Sequence, residues 1–442
     1  MAIAWVRKNV AAMANGLLRR LAPIALLATL VQAHPGHGPG GAAGSGYVDA
    51  LVNLEASTRS LRADAERRPT DWLPLESAAR LYLERARLTG NYDDFARADS
   101  MLNRAFAIAP KKAGPFLARA EYFLSIHRLA DAEAEIAKEE GGAIIPPATR
   151  RAIAEVRADL LVEQGNYSEA RTAIEALVAQ ERNAPNLSRL AILEWHLGQP
   201  ARADHLLAEA ESLYFGPQEQ YRAWFRLQRG DLATARGNYD EALARYREAE
   251  ELFQGWWLTA FRAAQVMERQ QKFEAATFAY QDLVSRTNLP EVMDALAALY
   301  REQGEASAAT RWIAKARRLH DAREARFAEA ALGHALQHHL HFDPDPKAVV
   351  SRAERNRDLR SNGEAWTWLA QAQLRAGDFV ASEAAIDRAL KSGWRSAETW
   401  ATGAIVARRM GNGRLERERL GAAVALNPDA PRLVAWLEEP PR

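Results

Sequence analysis

The sequence predicts an all-α solenoid, a stack of paired helices, and two observations support this prediction. First, the segment 165–170, Gly-Asn-Tyr-Ser-Glu-Ala, returns at 237–242 as Gly-Asn-Tyr-Asp-Glu-Ala, and weaker copies follow every 33 to 39 residues. A near-constant period in this range indicates identical supersecondary units that pack on their neighbours. Second, Ala, Leu, Glu and Arg dominate the composition, which favours helix almost everywhere.

Each copy is anchored at a turn between two helices, where Gly permits the positive φ that such a turn needs. The predicted anchors are His127, Gly165, Gly198, Gly237, Gln271, Gly304, His341, Gly377 and Gly411. An aromatic residue two positions later fills the wedge beneath the turn (Tyr167, Tyr239, Phe273, Phe379). An Ala five positions after the anchor lets two helix backbones approach closely (Ala132, Ala170, Ala203, Ala242, Ala276, Ala309).

This motif resembles that of the tetratricopeptide repeat (TPR) family, over roughly residues 70–430 and in about ten units. The resemblance implies a right-handed α-solenoid of about ten helix pairs, with a concave groove lined by the first helix of each pair. His127, Gln271 and His341 stand where the family has Gly, and the unit at 323–360 fits the pattern poorly.

Counting back from each anchor places a polar surface of mixed charge in the implied groove. Its members are Gln265, Glu268, Asp294, Arg301, Gln371 and Arg408, and Trp257 is a further candidate. Such a surface suits a protein or peptide partner, either an extended segment or a helix with alternating charges.

The N-terminus reads as a secretory signal over residues 1–33. A basic stretch ending in Arg19-Arg20 precedes an apolar run, and Val31-Gln32-Ala33 offers small residues for cleavage. Because the apolar run is too short to span a bilayer, stable membrane insertion of the mature chain is not expected, although an uncleaved anchor is the alternative. A periplasmic or secreted location after cleavage near Ala33 is the expectation.

Four further segments complete the predicted organisation. Residues 34–46 form a flexible Gly/Pro/His tether, 47–69 an N-terminal capping helix, 70–430 the solenoid, and 431–442 a C-terminal capping helix and tail.

The charge and cysteine content exclude several kinds of partner and anchor. Beyond residue 33 the chain has 54 Lys+Arg against 57 Asp+Glu, so no basic face points to nucleic acid. The chain has no Cys, which excludes a disulfide framework and a lipid-modified Cys.

Two histidine groups raise the alternative of transition-metal handling with Cu or Zn; otherwise no cofactor is expected. Cleavage after Ala33 would expose the amine and imidazole of His34, with His37 as a third ligand. His334, His338 and His341 follow at i, i+4 and i+7 on one helical face. The competing interpretations are a polar tether and a polar stripe that packs or binds a partner.

No catalytic motif accompanies the repeats. Gly36-His37-Gly38-Pro39-Gly40-Gly41 matches G-x-G-x-x-G, but no strand precedes it, as a dinucleotide site requires. The sequence therefore predicts a non-enzymatic scaffold or adaptor of the cell envelope. Metal handling is the second hypothesis, and a solenoid serving an enzyme is the third and weakest, because no non-repeat catalytic domain remains.

Overall fold

The computed structural model describes residues 46–110, 113–142 and 145–438, and these residues form 22 helices and no strand. Helices α1 (Tyr47–Arg67) and α22 (Ala430–Glu438) flank twenty helices that form ten consecutive pairs. The all-α solenoid predicted from the repeat period is therefore confirmed. The predicted signal, and the tether with His34 and His37, lie outside the described residues apart from Gly46.

The ten pairs, numbered here as units 1 to 10, follow each other without an intervening domain. They are α2 (Leu73–Thr89) with α3 (Asp93–Ile108), α4 (Phe116–Ser125) with α5 (Leu129–Glu140), α6 (Pro147–Glu163) with α7 (Tyr167–Gln180), α8 (Ala184–His196) with α9 (Pro200–Ser212), α10 (Glu219–Ala235) with α11 (Tyr239–Leu252), α12 (Trp257–Arg269) with α13 (Phe273–Thr287), α14 (Pro290–Glu302) with α15 (Ala306–Arg326), α16 (Ala328–Phe342) with α17 (Pro346–Leu359), α18 (Gly363–Arg375) with α19 (Phe379–Lys391), and α20 (Ala397–Arg409) with α21 (Gly413–Leu426).

The turns within the units adopt the left-handed backbone that the anchors predict. Gly165 and Gly237 have φ of 76° and 75°. His127 and Gln271, which replace Gly, have φ of 62° and 61° and hold the same conformation. Because a side chain at such a φ is uncommon, these two residues confirm that the repeat register continues through the units where Gly is missing.

His341 is the one anchor for which the prediction is wrong. It lies inside α16, one residue before the helix ends at Phe342. The helices of unit 8 are joined instead by residues 343–345, where the Asp345 carboxylate accepts a hydrogen bond from the backbone N–H of Lys347 at 3.0 Å and Pro346 begins α17. An acidic N-cap followed by Pro starts the second helix without a left-handed residue.

Close helix packing depends on the small residue five positions after each anchor, as predicted. Ala132, Ala170, Ala203, Ala242 and Ala276 are fully buried, and Ala309 is 3% exposed. A side chain larger than a methyl group at these positions would separate the two helices of a unit, and a charged one would be buried without a partner.

The solenoid coils so tightly that its second turn rests on its first. Gly363 N–H donates a hydrogen bond to the Tyr167 hydroxyl at 2.9 Å across 196 residues. Arg395 N–H donates to the carbonyl of His196 at 2.8 Å, and Tyr47 N–H to that of Gln254 at 2.9 Å. In these contacts the two residues lie five to six units apart along the chain, so about six helix pairs complete one superhelical turn.

Stacking of the two turns encloses the inner faces of the first helices. One hydrophobic cluster extends from Leu54 in α1 through units 3 to 7 to Trp394, between units 9 and 10. The inner faces of the first helices accordingly border cavities that lie between the two turns.

Candidate functional site inside the superhelix

The inner faces of the first helices carry charged side chains that are buried and paired with one another. Arg189 on α8 is completely buried, and its Nε donates to Asp159 Oδ1 on α6 at 3.0 Å. Glu155, one turn earlier on α6, lies 3.5 Å from the same guanidinium. Buried charges of this kind are tolerated only where they are paired, so much of the interior surface is occupied by its own ion pairs.

A cavity of about 200 Å³ remains where units 1 and 2 approach units 6, 7 and 8. Its wall combines aromatic rings with charged groups of both signs, a composition typical of ligand sites. The aromatic residues are Tyr92, Phe95, Trp257, Phe261 and Phe342, and the polar ones include Arg87, His127, Arg262, Gln265, Glu291, Asp294, His334, Gln337 and His341.

Three polar atoms around this cavity are buried without a hydrogen-bond partner among the described residues. They are Nε of Arg87, Nδ1 of His127 and Oε2 of Glu291. Burial of the His127 ring, with a further contribution from Arg360, holds its pKa well below the ordinary value, so the ring is neutral at pH 7. An unsatisfied buried polar atom is costly, so water or a ligand group in the cavity would be stabilised by bonding to these atoms.

Three of the predicted groove residues lie on this cavity. Trp257 holds its indole N–H on the carbonyl of Leu88 at 2.9 Å and so ties unit 6 to unit 1. Gln265 is buried, and its side-chain oxygen accepts a hydrogen bond from Arg262 at 3.1 Å. Asp294 is partly buried and forms contacts with two histidines that are described below.

The other four predicted groove residues lie elsewhere. Glu268 is 1% exposed and accepts a hydrogen bond from the Tyr280 hydroxyl at 2.6 Å, within unit 6. Gln371 is 4% exposed and donates to Thr402 in the next unit at 3.2 Å. The guanidinium of Arg301 stacks over the ring of Phe342 at 5.0 Å. Arg408 is exposed and pairs with Glu416 at 2.8 Å.

The three histidines predicted on one helical face turn toward different partners. His334 Nδ1 lies 3.5 Å from Glu291 Oε1, and desolvation inside the superhelix lowers the pKa of this ring to about 4, although 43% of its side chain is accessible at the cavity. His341 Nδ1 lies 2.5 Å from the carbonyl of Gln337. Of the three, the structure brings only His338 into a group of potential metal ligands.

That group, called here the Asp–His–His cluster, consists of Asp294, His320 and His338. Asp294 Oδ1 is 2.7 Å from His338 Nδ1, and Asp294 Oδ2 is 2.9 Å from His320 Nε2. Burial would raise the pKa of the Asp294 carboxyl, but the hydrogen bonds from both histidines outweigh burial and hold the pKa well below its usual range. Burial likewise opposes charging of His320, yet its bond to Asp294 raises the pKa of this histidine.

His320 cannot be recognised from the sequence, because no local signal marks it. It lies on the second helix of unit 7, whose side chains were not expected to reach the groove. The signal that exists is indirect: α15 is 21 residues long, and α16 follows directly after Phe327. This is the stretch where the repeat pattern fits poorly.

A second interior cavity, of about 150 Å³, lies between unit 4 and units 9 and 10 and is lined by His196, Trp368, Trp394, Glu364 and Glu398 among others. Both ring nitrogens of His196 are buried without a partner among the described residues, and burial lowers the pKa of this histidine to about 4. Its ring contacts Trp394 at 4.8 Å between centroids, where the two superhelical turns meet.

Among the helices that the structure describes, none combines the length and apolar character needed to cross a membrane. No protein-family profile matches the chain, and no curated protein matches it in sequence.

Solved structures with related helical arrangements exist at low identity. The chain is 15% identical to a chain of the APC/C hetero-tetramer Cut9–Hcn1, over 82% of this chain and 63% of that one, with a TM-score of 0.40. It is 14% identical to a tetratricopeptide repeat protein from Parabacteroides merdae ATCC 43184, over 70% and 97%, with a TM-score of 0.36. A human IFIT1 dimer with PPP-AAAA gives 14% identity, 86% of both chains and a TM-score of 0.41. None of these likenesses assigns a ligand or partner to this chain.

Proposed function

We propose that the protein is a non-enzymatic scaffold or adaptor that binds a protein or peptide partner and works in the periplasm or outside the cell. Ten helix pairs and two flanking helices account for nearly all the residues that the structure describes, so the interior surfaces of the repeats are the best candidates for function. The location rests on the signal-like residues 1–33, and the choice of a protein partner on the repeat motif.

The observation that carries the proposal is the cavity between units 1, 2, 6, 7 and 8. Its aromatic wall offers apolar contact, while the buried Nε of Arg87 and Oε2 of Glu291 offer a hydrogen-bond donor and an acceptor without partners in the described chain. A volume of about 200 Å³ accommodates one or two side chains of a partner rather than a long segment. The partner therefore inserts an anchor residue that carries both apolar and polar groups.

The test fills this cavity without removing a packed side chain. Gln337 is partly buried on the cavity wall, so Gln337→Trp places an indole inside. The matched control is Glu354→Trp, an exposed position on α17. Captured proteins from an envelope fraction are quantified by mass spectrometry against the unmodified chain. We expect Gln337→Trp to reduce capture of specific partners about tenfold, a loss of roughly 1.4 kcal/mol, and Glu354→Trp to leave it unchanged.

Equal capture by both variants, at unchanged melting temperature, would exclude the cavity as the anchor site. Recovery of nucleic acid in place of protein would contradict the partner class. Export has its own check: N-terminal sequencing of the protein from the envelope fraction should read His-Pro-Gly-His, because cleavage follows Ala33. An intact chain recovered from the cytoplasm would contradict the proposed location.

Handling of a transition metal such as Zn or Cu is the second candidate function. The specific observation that favours it is the meeting of His338 with Asp294 and His320 inside the molecule. His34 and His37 are the other proposed ligands, and they belong to the part of the chain that the structure does not describe.

A further inference from the structure

We propose, in an inference that rests on the second candidate function, that Asp294, His320 and His338 form a binding site for one divalent cation of the zinc class, independent of the N-terminal histidines and of the proposed partner site. The site draws one ligand from each of three consecutive helices: α14, α15 and α16. It therefore spans the boundary between units 7 and 8, where the repeat pattern is least regular.

The fold already brings the three potential ligands close together. One potential ligand atom from each residue lies within 4.8 Å of the other two. Both imidazole rings direct a nitrogen at the same carboxylate, at 2.7 and 2.9 Å. His320 and His338 are each 1% exposed, so their orientations are fixed by the surrounding side chains rather than by solvent.

The donor set selects the class of metal. Two imidazole nitrogens and one carboxylate oxygen suit Zn(II) and its borderline neighbours, whereas the chain has no Cys thiolate to favour soft ions. Three protein ligands leave the fourth tetrahedral position open. Asp294 lines the 200 Å³ cavity, so that position and a path for the ion lie on the cavity side.

A metal would require only a small expansion of the cluster. Zinc bonds of 2.0–2.1 Å place tetrahedral ligand atoms about 3.3 Å apart, whereas the Asp294 oxygens now lie 2.7 and 2.9 Å from the two ring nitrogens. Each ring therefore moves away from its carboxylate oxygen by roughly half an ångström, and the ligand atoms of the two histidines, which lie within 4.8 Å of each other, take up the same spacing. The cavity beside Asp294 offers room for this movement.

The charges facing the cluster are nearly balanced before a cation arrives. On α15, Arg323 pairs with Glu291 of α14 at 2.8 Å, so these two neighbours largely offset each other. His334 on α16 is neutral at pH 7 because desolvation lowers its pKa, and Arg262 on α12 faces the same cavity. A metal replaces the protons on the nitrogens that now bond to Asp294, so binding must release protons and weaken in acid.

The experiment titrates Zn(II) into the full chain carrying His34→Ala and His37→Ala, in competition with a chromophoric chelator. We expect one Zn(II) per chain with micromolar or tighter affinity. Asp294→Asn, His320→Gln and His338→Gln should each weaken binding by roughly 100-fold, since each removes one of three ligands. The matched controls His334→Gln and His341→Gln, on the same helix as His338, should change affinity less than about threefold.

Two measurements on the chain with an intact cluster keep the test valid if a cluster variant misfolds. Co(II) bound at the site should give the visible absorption of a tetrahedral complex, and calorimetry in buffers of different ionisation enthalpy should detect proton release. Absence of stoichiometric Zn(II) binding to this chain would overturn the proposal and leave the cluster as hydrogen bonding only. Binding lost in the His34/His37 variant, or retained in His338→Gln, would also overturn it. Partner capture enters none of these measurements, so failure here and failure of the scaffold proposal are distinguishable.

Discussion

The turn glycines of the N-terminal and C-terminal units have the same backbone conformation and different surroundings. A Cβ atom built on Gly165 would lie 2.6 Å from the carbonyl oxygen of Ser361, and one on Gly198 would lie 2.6 Å from Cβ of Arg395. Around Gly377 and Gly411 nothing lies within 4 Å of such an atom. Gly165 and Gly198 are therefore required both for the positive φ and for the contact with the next superhelical turn. Gly377 and Gly411 are required only for the positive φ.

Where an aromatic residue stands two positions after the turn, it follows the same division. The hydroxyls of Tyr92, Tyr167 and Tyr239 reach Ala330, Gly363 and Asp429 respectively, all on the second superhelical turn. The corresponding residues later in the chain, Phe273 and Phe379, have no hydroxyl. The same local motif thus connects two helices in every copy. The copies that carry Tyr92, Tyr167 and Tyr239 also bind the second turn of the superhelix to the first.

The largest expected effect comes from adding a methyl group at the two kinds of turn. Gly377→Ala incurs only the cost of a left-handed residue with a Cβ, about 1–2 kcal/mol. Gly165→Ala adds a clash with the backbone of residue 361, which must move, and we expect a total of roughly 3–5 kcal/mol. Thermal unfolding of both variants, followed by circular dichroism, measures the difference.

Equal shifts in melting temperature for Gly165→Ala and Gly377→Ala would contradict the contact between superhelical turns. Gly411→Ala serves as the control, because its surroundings match those of Gly377. In a repeat array damage spreads to neighbouring units, so a broader transition for Gly165→Ala is also expected.

The sequence predicts the elements of this fold well because their determinants are local. Two residues determine each unit: Gly, or the residue that replaces it, at the turn, and Ala five positions later. Both act within one unit, so they recur along the sequence at the length of the repeat. His341 was placed wrongly because the Asp345 cap and Pro346 start α17 without a left-handed residue. A period cannot distinguish two ways of making a turn.

The interior could not be predicted in the same way. Tyr167 meets Gly363 across 196 residues, and that distance depends on the pitch of the superhelix, which accumulates small rotations over six units. Counting from the anchors predicts Gln371 in a binding groove, but it cannot show that this side chain is 4% exposed and bonded to Thr402 of the next unit. The sequence does carry one usable signal: Tyr rather than Phe stands two positions after Gly90, Gly165 and Gly237, and only Tyr has a hydroxyl that can bond to another turn.

The second expected effect concerns the contact between turns in acid. His196 lies against Trp394, and its pKa is lowered to about 4 from an unfolded value of 6.5. Because the unfolded chain binds this proton first, stability is lost as pH falls from about 6.5 to about 4. The single histidine accounts for up to roughly 3 kcal/mol of that loss.

Replacing His196 by Phe removes this proton and keeps an aromatic ring beside Trp394. Melting temperatures measured between pH 7 and pH 4.5 should therefore fall less steeply for His196→Phe than for the unmodified chain. His205→Phe, on the outward side of the neighbouring helix α9, is the control and should retain the original slope. Identical slopes for all three proteins would mean that His196 is not buried between the turns.

The smallest effect isolates one hydrogen bond between the turns. Gly363 begins α18, and its backbone N–H has no partner within the helix, as for every first-turn amide. The Tyr167 hydroxyl accepts this bond, so Tyr167→Phe leaves a buried N–H unsatisfied, at a cost of about 1–3 kcal/mol.

Phe379→Tyr is the control for this prediction. Its position belongs to the last superhelical turn, so an added hydroxyl should change the free energy of unfolding by less than about 0.5 kcal/mol. Amide hydrogen exchange separates the two, because Tyr167→Phe should accelerate exchange at the start of α18, 196 residues from the substitution, while Phe379→Tyr leaves that segment protected. An unchanged exchange rate at Gly363 in Tyr167→Phe would mean that this hydrogen bond does not stabilise the C-terminal units in solution. The N-terminal and C-terminal turn glycines would then not differ in their contacts with another superhelical turn.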